Sequence, residues 1–404
     1  MPSRVGYVKQ FVNIGQAANE LIKDRNDASK LIDDDEFYRM DSNGNNYSLA
    51  KHQSTTSAYW SLQSSYISKY LMENSSYTDV NYNFRGLGSR TFLEELASVK
   101  YFVCKDKTNY PPYGFSYKGS TKNYLNENVY LYENKNALPL GYTYDHYLLS
   151  SDYENMTVVQ RQQAMLQGVL IPDDESLKVS ELLINTTPVY NNQSVEYDFK
   201  TNENIITKTN KIIVKKPKEK LVLKLKNPVK ACELYLQFDK LNFKSLNSKD
   251  YNIVKILASS NKKRSFVNHY TPTSHVTHGR TNYLLNLYYD EKSRDEITIT
   301  FYVPGIYEFN SLDVIAQSMK DYENQVKALK QNVLENVEIT TNKIEGAISL
   351  DTSKLLCLSV PYSKGWTAYV DGQKAEIIRT NTMYMGLLLD KGKHTIELKY
   401  CTPI

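Results

Sequence analysis

The chain has 404 residues, 41% of them hydrophobic and 23% charged, and a formal net charge of +4. At roughly 100–200 residues per domain, that length supplies two or three domains. The weak positive balance excludes the dense basic footprint of a nucleic-acid binder. Cys104, Cys232, Cys357 and Cys401 lie far apart with no CxxC pair. That excludes a zinc ribbon or thioredoxin-like motif and favours unpaired thiols, one disulfide remaining open if two meet in space. No continuous apolar leader opens the chain, and no run approaches the ~18 apolar residues of a membrane span.

Residues 1 to 36 predict a helix, because Phe11, Ile14, Ala17, Ala18, Leu21 and Ile22 recur at helical spacing. FYRMD (37–41) reads as a short strand and DSNGNN (41–46) as a loop. SLQSSYISKYLMEN (61–74) predicts a second helix, and RTFLEELAS (90–98) a third with Ser89 as its cap. VKYFVCK (99–105), VYLYEN (129–134) and LGYTYD (140–145) are strands, and VVQRQQAMLQGVL (158–170) returns to helical periodicity. Helices interleaved with short strands indicate a mixed α/β domain over 1–178.

From residue 185 the texture changes. SVEYDFK, KLVLKLK, CELYLQF, NYLLNLYYD and EITITFYV alternate apolar and polar residues between prolines. An antiparallel β-sandwich over 179–312 is the expectation. Residues 313–334 predict a linking helix, followed to 404 by a small C-terminal β unit of five strands with turns at Asp371-Gly372 and at 391–393. The fold class is therefore α+β.

No P-loop, nucleophile elbow or GxGxxG occurs, so no catalytic residue, cofactor or metal is assigned. His275 and His278 in HVTH lack a third ligand in sequence and read as loop histidines. The acidic DDDE (33–36) reads as a helix end. SAYWSLQSSYISKY (57–70) presents Tyr59, Trp60 and Tyr66, whose rings suit either stacking on sugar C–H faces or packing of a loop on its helix. In the basic stretch 211–230, Lys220, Lys224 and Lys226 alternate with Leu221, Leu223 and Leu225. They are either the solvated face of an edge strand or contacts for phosphate groups of a polymer or lipid. Trp366, beside the strong Asp371-Gly372 hairpin signal, reads as a core residue.

The tail SVPYSKGWTAYVDGQKAEIIRTNTMYMGLLLDKGKHTIELKY resembles the C-terminal signature of the bacterial YfhO family: a Pro-Tyr pair, Gly-Trp, a Val-Asp-Gly hairpin, then a GxHxIxLxY strand. FYRMD, LASVKYFVCK and VYLYENKNALPLGYTYD resemble its earlier blocks in the same order. The resemblance implies the extracytoplasmic region of a polytopic membrane protein similar to GT-C glycosyltransferases. Such a protein would transfer sugar from an undecaprenyl-phosphate carrier to lipoteichoic or wall teichoic acid. On that reading the chain continues at both ends into membrane spans, its partners are a cell-envelope glycopolymer or lipid-linked sugar and the membrane, and the fragment alone is inactive. The family's catalytic loop has no counterpart here. The alternatives are a free-standing carbohydrate-binding protein or a structural cell-surface domain, separable by the full reading frame and by glycan titration.

Overall fold

A computed structural model describes residue 15 and residues 28–42, 53–57, 64–75, 86–105, 110–123, 125–247, 249–274 and 279–402. Most of the N-terminal helix prediction, and HVTH, lie outside them. Within 28–36 the expected helix is a single 3-10 turn, Ser29–Leu31, and residues 32–36 have no regular secondary structure. Strands dominate the architecture, which is α+β and largely sandwich-like.

The first sheet orders Arg39–Ser42, Val99–Cys104, Asn128–Glu133 and Ser116–Lys122 side by side, the first pair parallel and the rest antiparallel. Helices Ser65–Glu73 and Thr91–Leu96 form where the periodicity places them. The cap of the second is Arg90 rather than Ser89, which sits one residue earlier at φ +52°. All six residues of Thr91–Leu96 are buried, so tertiary packing and not propensity holds this short helix. Further on, helix Val158–Ala164 starts at a capping box in which the Gln160 N–H donates to the Thr157 hydroxyl (3.3 Å) and the Thr157 N–H donates to Gln160 Oε1 (2.9 Å). The predicted helix to 170 stops early, and Val169–Ile171 becomes a strand parallel to His146–Leu149. Gly168 lies at the switch. A Cβ there would stand 2.9 Å from the Thr186 Cγ2 methyl.

The middle sandwich joins a five-stranded sheet (Tyr197–Lys200, Glu219–Val229, Arg294–Phe301, Ile253–Ser260, Lys263–Tyr270) to a four-stranded one (Tyr283–Asp290, Cys232–Asp239, Ser311–Ser318, Asn192–Ser194). A smaller four-stranded sheet lies beside them. Alternation sets the faces. Leu221, Leu223 and Leu225 turn inward and share a core with Leu234, Leu236 and Phe238. The basic strand is second in its sheet, flanked by Tyr197–Lys200 and Arg294–Phe301, so it is not an edge strand.

The predicted helix over 313–334 is corrected in its first half. Ser311–Ser318 is a strand paired in register with Cys232–Asp239, and only Tyr322–Leu329 is helical. Val314 and Ala316 alternate into the sandwich core, and that period-2 burial overrides the helical reading.

The C-terminal strands form a second sandwich. One sheet contains Glu335–Ile339, Lys343–Leu350, Gly392–Tyr400, Trp366–Val370 and Gln373–Ala375. The other contains Ile378–Thr380, Tyr384–Leu389 and Lys354–Pro361, and its fourth strand is Gly141–Tyr144 from the N-terminal half of the chain. This sheet is buried on both faces. Leu356 and Leu358 face the C-terminal core, while Leu355 and Cys357 face a core shared with Tyr70, Phe92, Tyr142, Tyr144 and Leu329. The near-continuous apolar run KLLCLSV is the sequence counterpart of that double burial.

Candidate functional site

Of the residues expected to contact sugar, Tyr59 and Trp60 lie outside the described residues. Tyr66, on helix Ser65–Glu73, is half-buried. Its ring meets the Tyr362 ring edge-on at 5.3 Å and carries the Arg379 guanidinium at 4.9 Å from its centroid. Those partners occupy the ring as packing and cation–π contacts. The lysines lie elsewhere, on the solvent face of the middle sandwich. The Lys224 ammonium donates to Asp295 Oδ2 (2.5 Å) and lies 3.8 Å from Glu296 Oε2, and Lys226 donates to Glu196 Oε2 (3.0 Å). Hydrogen bonding to these carboxylates raises both lysine pKa values and depresses that of Asp295. Two of the three expected phosphate contacts thus already hold acidic neighbours; Lys220 is exposed opposite Thr300.

The sequence blocks that carry the family resemblance converge on a structural node. Arg39 of FYRMD donates to the carbonyl of Ala97, to the Ser359 hydroxyl (3.2 Å) and to the Ser359 carbonyl (3.0 Å). Ser98 donates to the Pro139 carbonyl at 2.7 Å and lies 2.8 Å from the Ser359 hydroxyl. The Ser359 N–H donates to the Leu140 carbonyl. Four segments spread over 320 residues are therefore tied at one point. Their residue types meet the need to satisfy buried polar backbone where sheets change partners.

A second polar cluster lies where the N-terminal layer meets the middle sandwich. Asp41 accepts from the N–H groups of Ser42 (2.5 Å) and Leu87 (3.3 Å). Glu94 lies against it, fully buried. Burial first, then the Asp41 charge, pushes the Glu94 carboxyl well above its ordinary range. Glu233 accepts from the Thr91 hydroxyl (2.5 Å), the Thr91 N–H (3.2 Å) and the Tyr235 hydroxyl, and burial raises it too. Glu95 is pushed up to about 7 by burial, although Tyr322 (2.5 Å), Leu138 N–H (2.6 Å) and Asn134 (2.7 Å) all donate to it. Raised carboxyls also mark many active sites. Here they are sealed inside and bridge packed layers, which makes this arrangement a fastening between layers rather than a reaction centre.

The tail motif is likewise structural. Asp371 (φ +53°) and Gly372 (φ +77°) make the left-handed hairpin turn that their residue types favour. The Asp371 carboxylate accepts from the Thr395 N–H (2.8 Å) and from His394 Nδ1 (2.8 Å), and His394 Nε2 donates to the Asp390 carbonyl (3.0 Å). Both imidazole nitrogens thus face acceptors, the pattern of a protonated ring. Trp366 packs against the C-terminal core with its ring 5.1 Å from that of Tyr400. All four cysteines are free thiols, three buried and Cys401 exposed.

Among the described residues no three His, Cys, Asp or Glu side chains are grouped to hold a metal ion. No helix among them is long and apolar enough to cross a membrane. The surface does carry an open polar groove of about 420 Å³, lined by segments at 190–193, 228–232 and 316–320. Sequence reasoning missed it, because three separated segments build it. The one sequence signal was Lys230, the last residue of the basic stretch.

Comparison with known proteins sets these features in context. The profile of the family described as bacterial membrane protein YfhO matches residues 3–404. The YfhO protein of Bacillus subtilis (strain 168) is 24% identical over 327 residues, which are 79% of this chain and 34% of that protein. The chain thus spans about a third of the relative's length. Among solved structures, the arabinofuranosyltransferase AftD from Mycobacteria aligns with 92% of this chain and 63% of its own at 6% identity and a TM-score of 0.37. The botulinum neurotoxin serotype D binding domain aligns with 48% of this chain and 74% of its own at 9% identity and a TM-score of 0.21. Likeness at those scores decides neither fold nor activity. The match over nearly the whole chain does decide the family: this chain belongs to the YfhO family of bacterial membrane proteins.

Proposed function

We propose that this chain is the extracytoplasmic part of a polytopic membrane glycosyltransferase that adds sugar, from a lipid-phosphate carrier, to a cell-envelope polymer such as lipoteichoic or wall teichoic acid. The observation that carries the reading is the family match over residues 3–404, combined with a span of only a third of the B. subtilis relative. Membership of a family of membrane proteins supports this reading, which takes the chain as that family's non-membrane portion. The interior supports a non-catalytic role. The signature residues Arg39, Ser98, Ser359, Asp371 and His394 are spent on holding sheets together. On this reading the reacting groups belong to the membrane portion, and this region holds the acceptor or supports that site.

The test is a deletion of the gene for the full-length protein with chemical analysis of the envelope polymers. Loss of sugar substituents from a phosphodiester polymer, restored by the full-length gene, is the expected result. Unchanged substitution on every such polymer would overturn the reading.

A further inference from the structure

The open groove beside strand Asn192–Ser194 has a chemistry that the scaffold does not use. Its lining includes Lys230 and Lys320, the carboxamides of Asn192 and Gln193, the Ser318 hydroxyl and the Tyr190 ring. Both lysines are exposed, and neither has an acidic partner within ion-pair distance among the described residues. That separates them from Lys224 and Lys226, which are ion-paired. Of the nearby carboxylates, Asp321 already accepts from the Asn191 amide at 2.7 Å, and Asp152 acts on Tyr190 by charge alone. Asn192 is half-buried on this wall, and its amide nitrogen is shut from solvent with no hydrogen-bond partner, an unmet donor that would engage a ligand by turning its side chain outward into the groove. Asn192–Ser194 is the outermost strand of its sheet, so an elongated ligand can lie along it without displacing another strand.

Each part fits a different part of one ligand class. An ammonium is a compact charge suited to phosphate oxygens. Carboxamides and a hydroxyl match the donors and acceptors of sugar hydroxyls. A half-buried tyrosine ring presents an apolar face with a polar tip. We propose that the groove is a binding site for a phosphodiester-linked glycan, with Lys230 and Lys320 meeting phosphate groups and Asn192 and Gln193 meeting sugar hydroxyls. The choice of a polymer over free phosphate rests on the reading above; the groove's charge and amide chemistry do not.

The test is calorimetric titration of the 404-residue chain with four probes: a phosphodiester-linked glycan oligomer, a neutral oligosaccharide of the same length, inorganic phosphate, and vesicles containing an anionic phospholipid. The oligomer is expected to bind, more weakly as salt rises. The K230A/K320A double variant should lose about tenfold or more in affinity, since each lost phosphate contact removes a counterion-linked term. Asn192→Ala should weaken the oligomer and leave any residual phosphate binding unchanged. K224A/K226A should bind as the parent does, because those ammoniums are already paired. An unchanged thermal transition in K230A/K320A, whose side chains are exposed, separates a lost contact from a lost fold. Equal binding of the neutral oligosaccharide, binding of phosphate or vesicles as tight as the oligomer, or an oligomer affinity unaffected by K230A/K320A would each overturn the proposal. Failure here with sugar lost from the polymer in the deletion strain would sink the groove and spare the glycosyltransferase reading; the reverse pattern would do the opposite.

Discussion

At the scale of single residues, the polar side chains of the recognisable blocks work as fasteners. The Asp371–His394 pair shows this at a titratable position. Burial alone would lower the His394 pKa, and the hydrogen bonds to Asp371 and to the Asp390 carbonyl outweigh it, so the net direction is upward from 6.5. Asp371 is held below its ordinary 3.8, first by the Thr395 N–H and then by His394. The sign follows for each group. The histidine's contribution is complete below pH 6.5 and is lost as pH rises through its raised value. The aspartate's contribution is present above pH 3.8 and is lost as pH falls through its depressed value. The hairpin is therefore most secure in the mildly acidic interval between the two. A histidine-selective NMR titration should place the His394 midpoint above 6.5, and Asp371→Asn should bring it down. A midpoint at or below 6.5 in the parent chain would contradict this account of the tail motif. Its Asp and His are visible in the sequence as a spacing; that they meet between the hairpin turn and the neighbouring strand Gly392–Tyr400 follows only from the register that sets Asp371 beside Thr395.

At the scale of elements, what could be read from sequence was governed by local alternation. Leu221, Leu223 and Leu225 announce a half-buried strand, and the structure buries all three. The misread strand Ser311–Ser318 shows the limit. Val314, Ile315 and Met319 also satisfy helical spacing, and only pairing with Cys232–Asp239 decides between periods. The ion pairs of Lys224 and Lys226 were invisible for the same reason, since their carboxylates come from residues 295 and 196. Strand Lys354–Pro361 makes the point energetically. Its apolar run was legible as a strand, but not that two different cores would claim its alternate side chains. Leu355 and Leu356 are both fully buried, on opposite faces. Leu355→Ala and Leu356→Ala should each cost ~2–5 kcal/mol in denaturant unfolding, the range for large-to-small changes in a packed core. A cost below ~1 kcal/mol at either position would mean that one face of the sheet is not a true interior.

At the scale of the whole molecule, strand Gly141–Tyr144 stitches the N-terminal half to the C-terminal sandwich, and Arg39 clamps the same seam. The N-terminal sheet and the C-terminal sandwich are thereby parts of one packed body, with the middle sandwich fastened on through Glu233, Tyr235 and Asn286. Long-range closure of this kind cannot be seen in any local window, because its partners lie some 200 residues apart. On the proposed reading, a body so tied would serve as a rigid platform outside the membrane. That placement is the central claim, and Cys401 reports on it directly. It is the exposed thiol near the end of the last strand, while Cys104, Cys232 and Cys357 are buried. In the full-length protein, a membrane-impermeant maleimide applied to intact cells should label Cys401, with the label lost in Cys401→Ser. Labelling of Cys401 that appears only after the membrane is permeabilised would place this region on the cytoplasmic side and contradict the account.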